Sequence, residues 1–282
     1  MKKRILLLVV ATLLCSLVAC GGKQEAKSEE TTEKVAEKLM VVSVAASPTP
    51  HAEILAQVID DMKEQGFDLQ ITEFNDYVQP NTAVEEGSMM ANYFQHKPYL
   101  DDFNKERGTH IVTVRDGMIH YEPFGIYAGK KKDLSELEKG DEIAVPNDVT
   151  NGARSLQLLE AAGIIKLKEG VGLAATERDI IENEKGVVIR PLEAAQIPRS
   201  MQDVAFACLN GNYAVEAGFK VSDATFVEPK SSEAAKTYAN ILCVKSGNEN
   251  EAWALALFNC LKSQKVKDFI DKKYNQSVIA VD

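Results

Sequence analysis

The apolar positions of the chain change period several times, and each change predicts an element. Leu39 to Val44 is an apolar run broken only by Ser43, the pattern of a buried strand. Ala45 to Pro50 is a turn. Beyond it Ile54, Leu55, Val58, Ile59 and Met62 fall on one helical face, with Thr49 as the expected N-cap, Pro50 at the first helical position and Gly66 at the end. Leu69 to Phe74 is the next strand. Strand, helix and strand in that order predict a β-α-β unit and a parallel sheet.

Further along, Thr109 to Arg115 predicts a strand. Met118 to Ala128 is an extended apolar segment broken at Pro123, read as a crossing into a second lobe. A short helix is expected at Ser135 to Glu138, a strand at Glu142 to Val145 and a loop at Pro146 to Gly152. A helix from Ala153 to Ala162 carries Leu156, Leu158 and Leu159 and stops at Gly163. Strand Val187 to Arg190, a short helix near Ser200, strand Val204 to Leu209 and the loop Asn210 to Asn212 follow. Tyr238 to Val244 reads as the returning strand, and helices at Glu249 to Leu261 and Lys265 to Tyr274 close the chain. No internal repeat is evident. The expected fold is α/β and two-lobed, with residues 39–123 and 241–282 in one lobe and 124–240 in the other. Ligands sit naturally in a cleft between such lobes.

The first residues change the picture of where this body works. Met1-Lys2-Lys3-Arg4 is a basic start, Ile5 to Leu14 is apolar but too short to span a bilayer, and Leu17-Val18-Ala19-Cys20 follows. This is the pattern of a lipoprotein signal peptide over residues 1–19, with acylated Cys20 opening the mature chain. Residues 20–38 are polar, charged and poor in large apolar side chains, so they suit a flexible tether. A coil of that length reaches on the order of 20–25 Å. The expected location is the cell envelope, lipid-anchored to a bacterial membrane and facing the periplasm or the outside.

The chain carries a net charge of -10, and loss of Lys2, Lys3 and Arg4 with the signal takes it to about -13. No basic stripe is present, so nucleic acid is not an expected partner. After Cys15 and Cys20, the thiols of Cys208, Cys243 and Cys260 remain, each in an apolar run. An odd number predicts buried free thiols rather than a disulfide framework, although one bridge stays open.

Candidate chemistry is concentrated in residues 73–103. Tyr77, Tyr93, Phe94, His96, Tyr99 and Phe103 occur there in a chain only 7% aromatic, among the breakers Pro80, Asn81, Gly87, Asn92, Lys97 and Pro98. Rings on loops suit a binding surface; each ring taken alone is better explained by core packing, and the cluster carries more information than its members. Arg154 lies in the first turn of its expected helix, where an anion would offset the unfavourable helix dipole; pairing with Asp148 or another surface acid is the competing reading. Asn210 and Asn240 border apolar strands and need amide partners if buried. His51, His96, His110 and His120, with Glu122, show no tight metal-ligand spacing. No nucleophile elbow and no phosphate-binding loop is present, so no enzyme class is indicated.

Several longer segments resemble the NlpA/MetQ family of methionine-binding lipoproteins, which serve ABC importers. They are Pro50-His51-Ala52-Glu53-Ile54-Leu55, Asp76-Tyr77-Val78-Gln79-Pro80-Asn81, the run Ala91 to Leu100 through Phe94-Gln95-His96, Val145-Pro146-Asn147-Asp148 with Thr150-Asn151-Gly152-Ala153-Arg154, and Leu209-Asn210-Gly211-Asn212-Tyr213-Ala214. Together they span essentially the whole mature domain. Thr49 departs from the family, where Gly often precedes Pro-His, and so does Val149, where Pro is common.

The resemblance implies a type II periplasmic-binding fold that closes on an amino acid and does no covalent chemistry. It implies no cofactor, and as partners methionine, an ABC permease with its ATPase, and a membrane reached through the lipid anchor, with the chain acting as a monomer. Carried over by motif, Arg154 would hold the carboxylate, and Asn210 and Asn240 would fix the polar end. Tyr77, Phe94, His96, Tyr99 and Tyr121 would wall the side-chain pocket, with His120 beside them. The alternatives are D-methionine, a methionine-containing dipeptide or another amino acid, and from a different class a metal ion on His96, His120 and Glu122.

Overall fold

A computed structural model describes residues 38–228 and 236–282; the expected signal, Cys20 and the tether up to residue 37 lie outside the described residues. Two sheets organise the chain. The first contains β1 (Met40–Ala46), β2 (Phe67–Glu73), β3 (Ala91–His96), β4 (Ile111–Tyr121), β12 (Ala239–Lys245) and β13 (Ile279–Ala280), in the order β13-β4-β12-β3-β1-β2. The second contains β5 (Gly125–Ala128), β6 (Glu142–Pro146), β9 (Val188–Leu192), β10 (Phe206–Leu209) and β11 (Ala224–Val227), in the order β11-β5-β10-β6-β9. A two-stranded ribbon, β7 (Lys166–Leu167) with β8 (Ile180–Glu182), stands apart. The chain leaves the first sheet after Tyr121, enters the second at Gly125 and is back in the first by Ala239, the two-lobed α/β layout. Ala239 and Asn240 already pair in the first sheet, two residues ahead of the boundary expected at 241.

The β-α-β unit forms as predicted: β1 and β2 pair in parallel from Met40 opposite Phe67 to Ala46 opposite Glu73. Its helix is interrupted. Thr49 is extended, the Thr49–Pro50 peptide is cis, and Pro48–Ala52 makes a wide turn before Glu53–Ala56 and Ile59–Glu64. The turn starts at Ser47, whose carbonyl accepts from the Ala52 N–H at 3.0 Å, and Thr49 lies inside it with extended backbone rather than at a helix N-cap. Ile54, Leu55, Val58 and Met62 are fully buried as the spacing predicts, packing with Val42, Val44, Leu242 and Leu257, while Ile59 faces outward. Each such side chain contributes roughly 1.5–3 kcal/mol by leaving water. The first sheet is mixed rather than wholly parallel, because β12 runs antiparallel to both β3 and β4.

The aromatic stretch is the main correction. It is not a loop: the helix Gln79–Glu86, β3 and the helix Lys97–Arg107 run through it, and all six residues of β3 are buried. Its polar residues hid the strand. Asn81 and Gln95 exchange hydrogen bonds of 2.8 and 2.7 Å, and Asn92 donates to Asn81 at 2.9 Å, so the buried amides satisfy one another. Tyr93 joins the core of the first lobe.

In the second lobe Phe124, Ile126, Ile143, Leu156, Leu159, Phe206 and Cys208 form the core. Cys208, Cys243 and Cys260 are free and buried.

Candidate functional site

The helix that carries Arg154 spans Val149–Ala161 and starts four residues before the predicted Ala153. Asp148 explains the shift, since its side chain caps the helix by accepting from the Asn151 N–H at 2.9 Å. Asn151 and Gly152 are therefore helical, and Arg154 lies beyond the first turn. The helix end does not present Arg154 to an anion. The guanidinium instead grips Glu228, with Nε donating to Oε2 at 3.0 Å and Nη2 donating to Oε1. Nη2 also donates to the Glu122 carbonyl at 3.3 Å, and the Tyr238 ring lies 4.0 Å from the guanidinium carbon. Its acid is neither Asp148 nor exposed: Glu228 is buried at the end of β11 and also accepts from Tyr121 Oη and the Phe124 N–H. Among the described residues no partner engages Arg154 Nη1.

One cavity brings together Tyr77, Phe94, His96, Tyr99, Arg154, Asn210 and Asn240. Gln95, Glu122, Asn151, Gly211 and Asn212 complete its lining. Ring centroids of Tyr77 and Phe94, and of Tyr77 and Tyr99, stand 5.8 Å apart, and those of Phe94 and Tyr99 stand 6.1 Å apart, which makes one aromatic wall.

His96 joins the wall to the polar side. Its Nε2 donates to Asn151 Oδ1 at 3.1 Å, and its Nδ1 accepts from the Tyr99 N–H at 3.2 Å. That pattern needs a neutral ring. Burial, and then the Arg154 charge, lower its pKa to about 3. Asn210 donates to the same Asn151 oxygen at 2.8 Å, which leaves its own Oδ1 buried without a partner among the described residues. Asn212 accepts from Tyr77 Oη at 2.5 Å, and its buried Nδ2 is likewise without a partner. An unused acceptor and an unused donor thus sit in one cavity with a guanidinium and a carboxylate.

Two expected wall residues sit elsewhere. Tyr121 is held behind Arg154 by Glu228, and His120 lies behind Glu122. Both lie at the end of β4, and each is held by partners of its own, Tyr121 by Glu228 and His120 by Glu122 and Tyr93. His120 Nε2 donates to Glu122 Oε1 at 2.7 Å, while its Nδ1 accepts from Tyr93 Oη. His51, from the interrupted helix, donates from Nε2 to Asn240 Oδ1 at 2.8 Å and stands 3.5 Å from Glu122. Burial lowers His51 to about 4 and His120 to about 3 and raises Glu122. Among the described residues the group able to hold a metal is His51, His120 and Glu122, with ligand atoms within 4.8 Å of one another. His96 has no part in it, contrary to the metal alternative read from sequence.

The sequence pattern singled out neither Glu122 as cavity lining nor Asn151, Asn212 and Glu228. The one signal present was the glycine of Asn210-Gly211-Asn212. A Cβ at Gly211 would lie 2.5 Å from Glu122 Cβ, so only glycine lets that carboxylate approach the helix Gly211–Glu216.

Comparison with known proteins agrees with this geometry. The NlpA lipoprotein family profile matches residues 42–281. The membrane lipoprotein TpN32 of Treponema pallidum (strain Nichols) is 39% identical over 240 residues, 85% of this chain and 87% of that protein. The D-methionine-binding lipoprotein MetQ of Escherichia coli (strain K12) is 37% identical over 273 residues, 96% of this chain and 95% of its own. Among solved structures, a nutrient-binding protein from Burkholderia cenocepacia bound to methionine matches with a TM-score of 0.79 and 39% identity, covering 86% of this chain and 100% of that one. A lipoprotein from Ruminococcus gnavus ATCC 29149 matches with a TM-score of 0.84 and 55% identity over 86% of this chain and 99% of that one. Two-lobed, and matched over most of its length by these proteins, this chain belongs to the NlpA lipoprotein family of substrate-binding proteins.

Proposed function

We propose that the chain is the lipid-anchored binding component of an ABC importer, that it captures methionine and that it hands methionine to a permease with its ATPase. One observation carries the reading: a single cavity sets the rings of Tyr77, Phe94 and Tyr99 opposite Arg154, Glu122 and two unpaired amide atoms. In this reading the thioether lies against the rings and His96, Arg154 Nη1 takes the carboxylate, and Asn210 and Asn240 fix the polar end. Tyr121 and His120 act behind the lining.

Sulfur–aromatic contacts add only about 0.3–1.5 kcal/mol each. A low-micromolar ligand needs roughly 8 kcal/mol. The desolvated polar contacts therefore supply much of the affinity, and the rings supply selectivity. Residues 39–123 with 241–282 close on 124–240 as a hinged pair of lobes. The protein works as a monomer in the cell envelope, held by acylated Cys20 and facing the periplasm or the outside. No helix among the described residues is long and apolar enough to cross a membrane.

The test is a calorimetric titration with L- and D-methionine, using protein freed of carried-over ligand by unfolding and refolding. Saturable one-to-one binding that collapses in Arg154→Ala is the expected result. Absence of heat and of any thermal shift with both isomers rules methionine out.

A further inference from the structure

The cavity lining contains one base, Arg154, and one acid, Glu122. Their charges are not equally available. The Nε–Nη2 edge of Arg154 is committed to Glu228, whose four partners among the described residues (Arg154 Nε and Nη2, Tyr121 Oη and the Phe124 N–H) are all donors, as a carboxylate requires. The guanidinium is thus neutralised by the protein itself. Among the described residues Glu122 has no such paired counter-ion, only the Asn212 N–H and the more distant Arg154. Glu122 lies against His51 and His120, and the bonds these rings make to Asn240, Tyr93 and Glu122 itself suit neutral imidazoles. Among the described residues no lysine lines the cavity.

Resting on the methionine reading, we infer that this pocket recognises its ligand chiefly through the ammonium group, with Glu122 as the counter-charge, and that Glu228 is a positioning residue which restrains the pull of Arg154 on carboxylates. Unpaired Asn210 Oδ1 faces the same task as Glu122, since it can only accept. Arg154, Glu228 and Glu122 set two acids against one guanidinium, so a bare anion gains no net attraction on entry, whereas an arriving amine meets Glu122.

Two methionine fragments separate the ends of the ligand. 3-(Methylthio)propylamine keeps the thioether and the ammonium, and 4-(methylthio)butanoate keeps the thioether and the carboxylate. The full chain, held in mild detergent at pH 7, is titrated calorimetrically with methionine and with each fragment. The amine is expected to bind roughly tenfold or more tighter than the acid, because it meets an uncompensated charged partner. Glu122→Gln should reverse or erase that ratio. Glu228→Gln should also narrow it, by strengthening the acid, and a purely structural role for Glu228 would weaken both fragments alike. Acid binding as tight as amine binding in the native protein overturns the inference while leaving methionine binding intact. Methionine failing to bind overturns the reading of the site and this inference together.

Discussion

The two sides of the cavity are built in opposite ways. The aromatic wall is local: Tyr77, Phe94 and Tyr99 come from 23 consecutive residues, folded as helix, strand and helix. The polar side draws on Glu122, Arg154, Asn210, Glu228 and Asn240, which no short segment contains. The wall is held by packing, and loss of one ring leaves the others in contact. The polar side is a chain of buried hydrogen bonds in which each group satisfies the next, so removing one strands another. The contrast teaches that the wall should tolerate substitution while the polar side should fail as a unit.

Acid should break the polar side most completely. His51, His96 and His120 have folded pKa values of about 4, 3 and 3, against an ordinary 6.5. Between pH 6.5 and about 4 the unfolded chain therefore binds more protons, and stability falls as pH falls through that window. A tenfold difference in proton affinity between the folded and unfolded chain is worth about 1.4 kcal/mol, so the three rings together cost several kcal/mol. Glu122 and Asp148, whose carboxyls burial raises, oppose this in part. Urea midpoints measured from pH 7 to 4 should drop steeply below pH 6, and a flat profile would show that the rings are not held neutral.

Arg154→Ala comes next. It leaves Glu228 buried and unpaired, and breaking a buried pair costs about 3–5 kcal/mol. Denaturant unfolding should register that loss even without ligand. Unchanged stability would place the guanidinium in solvent. Tyr77→Phe is the sharper probe of the wall, because it keeps the ring and deletes only the bond to Asn212. About 0.5–1.5 kcal/mol of ligand affinity should go, read by calorimetry; a larger loss would make Tyr77 part of the polar side. The smallest effect on binding belongs to Tyr121→Phe. Its hydroxyl reaches Glu228 and not the cavity, so methionine affinity should stay within a few-fold, and a drop as large as that of Tyr77→Phe would return it to the lining.

The same contrast explains what could be read from sequence. Apolar spacing located the strands and helices of both lobes, and the alternating order of elements indicated the α/β class, because those are local signals. The ring cluster was visible for the same reason. Its backbone was not, since Asn92, Gln95 and His96 look like loop residues until Asn81 is seen to satisfy two of them. The start of the Arg154 helix was missed because Asp148 caps it inside a stretch that reads as a turn. Glu228 was invisible: no local pattern marks an acid that meets an arginine 74 residues earlier.

Gly211 sets a limit on how this pocket can be remade over generations or by design. Rings on the wall can be exchanged for others of similar bulk, and the cavity would change its appetite gradually. At position 211 there is no gradual route, because the first added carbon already collides with Glu122. Exchanging Glu122 does not open that route either, because every residue except glycine keeps the Cβ that would lie 2.5 Å from the added carbon, so position 211 is fixed by the approach of the two backbones rather than by the carboxylate.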